Sequence, residues 1–476
     1  MLVARRGQDI AEILRIERDW INERSLKGAH IDWAQERRID YALRLARLKR
    51  IQADDRKDIE LERDVAVFRD WLANSMKSAA KDGRWDAYAI AGIDQELKKR
   101  LKTLRSEILR KHANLSEVRL DDEIRYKKLV LALGGGGGTG YAHLAAFQAI
   151  EELGHSPELI VGTSLGALIG YYRAIKKDYD PAAAFLQLPQ WGDVARSIRP
   201  FLGGSRHGLP ALFNLNLSPF ITKLNLLRQA KESPSFDELE IPFACVTTAV
   251  KKAAKEAEIF AEQQKASIPR LLSLGLFPWK RTLGAVLKLA QFLSSHPDLI
   301  AEHVFGLDER SRQLCAVDAI AFSALVPSLL TYEVPSNHHQ SREILDDIVK
   351  ENGIYRFVDG GLANNVPARV AYDAVEAGRI KSRNSFIMAI DVFAPCAKIN
   401  AFFMPLQQIA NQNVIENLPY ADTSNRLRYV LSPVNIAPSL GQLSKLSKHA
   451  TNEMSDSFAR AKYALRPLPP IEQFLD

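Results

Sequence analysis

The 476-residue sequence predicts an α/β fold, a sheet sandwiched by helices and preceded by an all-α N-terminal region. Three observations predict it. Proline is absent before Pro157, so all 22 prolines lie in the later part. Charge divides near the same place: residues 1–128 hold 30 Lys and Arg with 24 Asp and Glu, a net of +6 out of +7 for the chain. From residue 129, short apolar runs ending in glycine alternate with helical stretches, as in a largely parallel sheet covered on both faces. The 46% hydrophobic and 25% charged content excludes a disordered, collagen-like or disulfide-stapled chain. Cys245, Cys315 and Cys396 lie far apart with no CxxC pair, which argues against a zinc ribbon or redox motif and fits a reducing compartment.

Residues 1–128 read as three to five helices forming an arm or small bundle. Leu97, Leu101, Leu104 and Ile108 fall on one helical face. Ile39, Leu43 and Ala46, beside Tyr41, Leu45 and Leu48, give another helix a broader apolar side. Trp20, Trp33, Trp71 and Trp85 call for packing, and Asp82-Gly83 and Ala91-Gly92 predict breaks between helices. The basic residues are interleaved with nearly as many acids, so no continuous positive stripe for nucleic acid forms. Contact with an anionic membrane and homodimerisation through these helices are left open as uses of the arm.

Beyond them, Leu129–Leu133, Leu159–Val161, Phe243–Val250, Phe357-Val358 and Phe386–Val392 read as strands, and Ala142–Leu153 and Leu165–Ile175 as helices. Leu129 to Ile150 runs 22 residues without a charge, long enough to span a membrane, but Gly134 to Gly138 does not suit a lipid-exposed helix. The N-terminus has no apolar stretch ahead of its charges, so neither a cleavable signal nor a transmembrane helix is expected. The expected location is cytoplasmic, with peripheral membrane contact left open. Residues 250–310 interrupt the core pattern as an insertion or lid. In it Leu283, Val286, Leu287, Ala290 and Leu293 share a helical face near Lys280, Arg281 and Lys288, after Phe277-Pro278-Trp279. Such a face suits an interfacial helix or a helix packed on the core. Phe402-Phe403-Met404 is a second apolar cluster, in a mostly helical C-terminal extension, 396–476.

Three segments carry chemistry. Gly134 to Gly140 (GGGGGTG) joins a strand to a helix, where amides approach a ligand closely and the helix N-terminus favours negative charge. A Walker lysine is missing, and the second strand runs into Gly162-Thr163-Ser164-Leu165-Gly166 where a dinucleotide site needs an acid. That G-x-S-x-G turn holds Ser164 at the start of a helix. Asp359-Gly360-Gly361 follows the strand Phe357-Val358 and offers a carboxylate as base for a nearby serine.

In this order the three segments resemble the patatin-like phospholipase family over roughly residues 129–395. LVLALGGGGGTGYAHLAAFQAIEELG follows its glycine-rich loop, GTSLGALIG its GxSxG and FVDGGLANNVPA its DGG; Ala321 to Pro327 resembles the segment ahead of that last strand. The resemblance implies a patatin-like sheet sandwich, with Ser164 as nucleophile, Asp359 as base, and the amides of Gly135, Gly136, Gly137 and Gly138 as oxyanion hole. It also implies a phospholipid or other acyl-ester lipid at a membrane surface as substrate, with neither cofactor nor metal. The family's basic residue in GGGxRG is Thr139 here, which puts the anchoring of the loop in question. His143 matches a frequent family position, and Arg173 or Lys176 could supply charge instead. A Ser-His-Asp arrangement would need His449. Two other readings stand beside hydrolysis: acyl transfer to an alcohol from the same acyl-enzyme, and a non-catalytic binding protein on the same scaffold.

Overall fold

The computed structural model describes residues 2–26, 31–81, 84–178, 180, 197–200, 205–218, 222, 232–252, 288, 289, 291–293, 295–394, 404–427 and 439–475. The expected apolar runs join two less apolar segments in one seven-stranded sheet: β1 (Lys128–Leu133), β2 (Leu159–Thr163), β3 (Phe243–Lys251), β4 (Ile300–Phe305), β5 (Ile354–Val358), β6 (Ser385–Asp391) and β7 (Thr423–Arg426). The order is β4-β3-β2-β1-β6-β7, with β5 also on β3. Strands β3, β2, β1, β6 and β7 run parallel, while β4 and β5 lie antiparallel to β3.

The register on β3 positions the site. One edge of β3 takes β4 from Cys245 to Val250. The other edge takes β2 as far as the Thr163–Val246 pair. It then takes β5, arriving from the opposite direction, as far as the Val358–Thr248 pair. Two strands thus meet head to head across Thr247. The residues leaving them are Ser164 and Asp359.

The N-terminal region contributes α1 (Leu2–Leu26), α2 (Trp33–Ala46), α3 (Glu62–Ala79), α4 (Ala87–Lys111) and α5 (Glu117–Arg125). Asp86 caps α4 by accepting from the amides of Tyr88 and Ala89, and Leu97, Leu101, Leu104 and Ile108 are buried on its inner face. The helix runs through Gly92, where a break was expected, because cap and apolar face outweigh one glycine's cost of about 1 kcal/mol. The region is not wholly helical. Arg50–Gln52 pairs with Asp58–Glu60, and Ala80–Lys81 with Arg84–Trp85, the first pair burying Ile51 against Ile59. Trp20 is fully buried, donates Nε1 to Asp40 at 2.8 Å and meets Trp85 edge-on, whereas Trp33 is half exposed.

Among the described residues, besides a single turn at Glu309–Arg312, further helices are α6 (Ala142–Glu152), α7 (Leu165–Ala174), α8 (Ala316–Ser323), α9 (His339–Glu351), α10 (Ala368–Glu376), α11 (Met404–Asn417), α12 (Leu440–Glu453), α13 (Ser455–Leu465) and α14 (Glu472–Leu475). Alternate residues of each strand enter different cores, as the two-residue strand period requires. Leu129, Leu131, Leu133, Ile160, Phe386 and Met388 pack with α6, α7, α8 and α9. Val130, Ala132, Leu159, Val161, Ile387 and Ala389 belong to a second apolar core, continuous through α10 into the N-terminal bundle. That bundle is fastened by α1 on α13 and α2 on α14. The Arg44 guanidinium adds bonds to the carbonyls of Ala464 (2.8 Å) and Arg125 (2.9 Å).

Two strands of this seven-stranded sheet depart from the sequence expectation. β4 lies inside 250–310, so the end of the expected insertion is part of the central sheet; its Glu302 and His303 disguise it. β7, sequence TSNR, sits in the expected helical extension and is recognisable only from its ladder to β6. Leu283, Val286, Leu287, Ala290, Lys280, Arg281 and Phe277 to Trp279 lie outside the described residues, as do Phe402, Phe403 and Cys396. Leu293 is described and packs in a small core with Leu289, Leu209 and Val250. Among the described residues, no helix is long and apolar enough to cross a membrane.

Candidate active site

Ser164 occupies the turn between β2 and α7 with φ 53° and ψ −126°. A non-glycine residue there is strained by on the order of 1–3 kcal/mol, and surrounding contacts must hold it. Neighbouring glycines supply clearance: a Cβ on Gly162 would lie 2.6 Å from Ala167 Cα, and one on Gly166 would lie 2.5 Å from the Leu133 and Gly134 carbonyl oxygens. The Ser164 amide donates to Ser323 Oγ at 2.7 Å, and Ser323 in turn donates to the Val246 carbonyl. Ser323 was not singled out in the sequence; its only signal was its place in the segment 321–327.

Ser164 Oγ donates to Asp359 Oδ2 at 2.7 Å, so the two sequence-predicted residues meet directly. The other carboxylate oxygen accepts from the Gly361 amide at 2.8 Å. The Asp359 carbonyl accepts from Thr248 Oγ1 at 2.8 Å, and its amide donates to the Leu325 carbonyl at 2.9 Å. Gly360 is required by clearance, since a Cβ there would lie 2.2 Å from the Val246 carbonyl oxygen. Burial pushes the Asp359 carboxyl up to about 6, although the Ser164 hydroxyl and Gly361 amide pull it down. A base with that pKa is mostly ionised near neutrality and can take a serine proton.

The glycine loop is held residue by residue. The Gly134 amide extends the β1–β6 ladder to the Ile390 carbonyl at 2.9 Å, and its carbonyl oxygen lies 2.8 Å from His143 Nε2. His143 is fully buried, which lowers its pKa to about 4. The neutral imidazole therefore acts as a brace. The Gly135 amide donates to the Asn365 carbonyl at 3.2 Å, so that amide is committed within the fold. This narrows the expected set of donors to Gly136, Gly137 and Gly138, at the start of the helical turn Gly137–Tyr141, where amides lack an intrahelical partner. Thr139 Oγ1 donates to the Gly136 carbonyl at 2.7 Å. A short hydroxyl inside the loop thus anchors it where the resemblance leads one to expect a long basic side chain.

The remaining candidates fall elsewhere. Arg173 is buried and bonds Glu151, Ser156 Oγ and the Lys176 carbonyl, which makes it a fastener of the α7 end. His449 stands on α12, which packs on α6, whereas the Asp359 carboxylate contacts Ser164 directly. Cys315, Asp318 and His338 bring three metal-type donor atoms within 4.8 Å of one another. Asp318 is already engaged there by Tyr332 Oη at 2.6 Å and His338 Nδ1 at 2.9 Å, and the bond to Asp318 raises the His338 pKa.

The family profile described as Patatin-like phospholipase matches residues 131–372, half of the chain, and that span contains the glycine loop, Ser164 and Asp359. The chain belongs to the patatin-like phospholipase family. Similar stretches occur in lysophospholipase NTE1 of Candida glabrata, 37% identical over 84 residues, 16% of this chain and 5% of that protein. In lysophospholipase NTE1 of Saccharomyces cerevisiae, 50 residues are 52% identical, covering 10% and 3%. An uncharacterized NTE family protein of Mycobacterium tuberculosis shares 46% identity over 43 residues, 9% of this chain and 12% of its own. The chain therefore aligns with only a small part of these curated relatives.

Proposed function

We propose that this patatin-like chain is a lipid acyl hydrolase, of phospholipase A or lysophospholipase type, acting through Ser164 and Asp359. The observation that carries the reading is the 2.7 Å bond from Ser164 Oγ to a buried carboxylate whose pKa is about 6. Ser164 Oγ attacks the ester carbonyl carbon while its proton passes to Asp359 Oδ2. The carbonyl oxygen becomes an oxyanion held by the amides of Gly136 to Gly138. Collapse breaks the bond to the alcohol, which leaves with the proton from Asp359. Water then attacks the acyl-Ser164 ester with Asp359 again as base, releasing a fatty acid. Each preorganised amide of this kind contributes roughly 3–4 kcal/mol to the barrier reduction. The family and the printed names of the lysophospholipase relatives support a lipid ester as substrate.

The test is fatty-acid release from mixed phospholipid and lysophospholipid vesicles by wild type, Ser164→Ala and Asp359→Asn. The wild type releases fatty acid, and each variant, still folded, loses about 1000-fold or more in kcat. The wild-type profile has an acid limb near pH 6, with activity rising as Asp359 loses its proton. A wild type silent on phospholipids, lysophospholipids and glycerides alike sinks the proposal. Adding an alcohol acceptor and analysing products separates hydrolysis from acyl transfer.

A further inference from the structure

Away from the dyad, a cleft of about 460 Å³ opens between β4 and the C-terminal end of α10. It falls in the ordinary range for small-ligand sites. It shares no lining residue with the glycine loop, Ser164 or Asp359. Val304, Leu307, Val370 and Ala374 give it an apolar wall, and Arg312 and Arg379 bring two guanidinium groups to it.

The charges in the cleft are unevenly balanced. Arg312 contacts Asp237 at 3.4 Å, across a carboxylate that is itself half exposed. Arg379 has no side-chain hydrogen bond or contact ion pair among the described residues, and its Nε is buried without a partner, as is that of Arg312. Burial and then the Arg312 charge lower the Arg379 pKa, against the smaller pull of Asp237. The carboxylates lining the cleft have other partners: Glu302 accepts from Asn364 Nδ2 at 2.6 Å, and Asp373 pairs with Arg369 at 3.6 Å. Arg379 is not needed as a helix cap either. The amides of Gly378 and Arg379 already bond the Val375 and Ala374 carbonyls, with Gly378 at φ +88°, so the backbone satisfies the end of α10 and fixes where Arg379 leaves it. Among the described residues, two mutually repelling guanidiniums thus share one half-exposed carboxylate, Asp237, and keep donors to spare beside an apolar wall.

We propose that this cleft binds an anionic amphiphile, its carboxylate or phosphate head on Arg312 and Arg379 and its aliphatic chain along Val304, Leu307, Val370 and Ala374. Guanidinium groups suit such oxyanions because they donate in a planar fork. A free fatty acid and a lysophosphatidate share this chemistry. Glu302 links the cleft to the strand that carries Ser164, because its partner Asn364 accepts from Thr163 Oγ1 through its carbonyl at 3.0 Å.

The test is calorimetric titration of the full chain carrying Ser164→Ala, which removes turnover from the readout. The probes are oleate and oleoyl lysophosphatidate below their micellar concentrations, neutral monoolein, and inorganic phosphate. At least one anionic amphiphile binds in about one-to-one ratio, and the stronger of the two identifies the head group. Monoolein and phosphate alone bind about ten-fold more weakly or worse. Arg379→Gln weakens the amphiphile about ten-fold or more, the loss expected for a charged hydrogen bond. Ala377→Trp, at an exposed position lining the cleft, does the same while keeping both guanidiniums. Should Arg379→Gln melt early, Ala377→Trp and Arg312→Gln decide. No binding of either anionic amphiphile overturns the proposal, as does binding unchanged by these substitutions, which places the amphiphile elsewhere. Phosphate binding as tightly as oleate overturns the apolar half. A failure of the hydrolase reading is read separately, from fatty-acid release by the wild type.

Discussion

Glu17 and Asp359 are both sealed from water, yet their surroundings push them in opposite directions. Burial alone would raise the Glu17 pKa, but Lys127 at 2.9 Å and Arg47 at 2.8 Å more than reverse this and hold it below the usual carboxylate range. Among the described residues no cation lies beside Asp359; it accepts from a hydroxyl and an amide, and burial lifts it to about 6. The first carboxylate is a fixed charge that ties α1 to the start of the sheet. The second is poised to change its charge, which a base must do and a structural ion must not. Burial is common to both, so it is the partner that separates a fastening from a reactive group.

That comparison can be broken at either end. The largest stability effect falls on the paired site. Glu17→Gln removes the carboxylate nearest the buried Arg47 and Lys127, leaving them the longer Arg47–Asp422 contact at 3.7 Å, and is expected to cost about 3 kcal/mol in denaturant unfolding. A cost below about 1 kcal/mol would show that the pair is replaceable and the contrast with Asp359 overdrawn.

Asp359→Asn is expected to act in the opposite direction, stabilising the fold while it removes the proposed base. Asp359 titrates at about 6 folded and near 4 unfolded, so its protonated form is favoured by folding. Its contribution is fully present below about pH 4 and is lost as pH rises through 6. At pH 8 the ionised group is a net cost of roughly 2–3 kcal/mol, which asparagine avoids. Melting curves of wild type and variant should therefore coincide near pH 4, diverge as pH rises from 4 to 6, and keep a nearly constant separation above about pH 7. A pH-independent difference would mean that Asp359 is not ionised against its surroundings.

The site was the more legible part of this molecule, and the reason is steric. Gly162, Gly166 and Gly360 are required because a side chain would strike backbone at 2.2–2.7 Å, so the turns leave a fixed pattern around Ser164 and Asp359. Strands β4 and β7 were illegible because a ladder uses backbone groups, and half-buried or polar side chains such as Glu302 and Asn425 carry no apolar alternation. The commitment of the Gly135 amide to Asn365 and the support of the Ser164 amide by Ser323 were likewise hidden. Both join segments far apart in the chain through atoms that any residue, or any serine, possesses.

Thr139 tests whether the glycine loop depends on side chains as well as amides. Its hydroxyl holds the Gly136 carbonyl at 2.7 Å, and the Thr139 amide reaches the same oxygen at 3.3 Å. Thr139→Val keeps shape and backbone but removes the hydroxyl. The expected loss is about ten-fold in kcat with KM unchanged, because loosening the proposed oxyanion loop affects the transition state more than the bound ester. Thr139→Ser should recover most of it. A change confined to KM would assign Thr139 to substrate contact instead.

The smallest expected effect separates two uses of glycine. Gly92 lies exposed within α4, and a Cβ there would find nothing within 4 Å. Its sole consequence is conformational, since glycine gains freedom in the unfolded chain and weakens the helix. Gly92→Ala is expected to stabilise by about 0.5–1 kcal/mol, read as a higher denaturant midpoint at constant slope, with activity unchanged. Gly166→Ala is the same chemical change at a position with no room, where the new Cβ would sit 2.5 Å from two carbonyl oxygens. It should displace the start of α7 from the glycine loop and abolish activity. If Gly92→Ala destabilised the protein instead, α4 would need a bend at that point, and the break that its Ala91-Gly92 pair suggests would be a feature of the helix's shape.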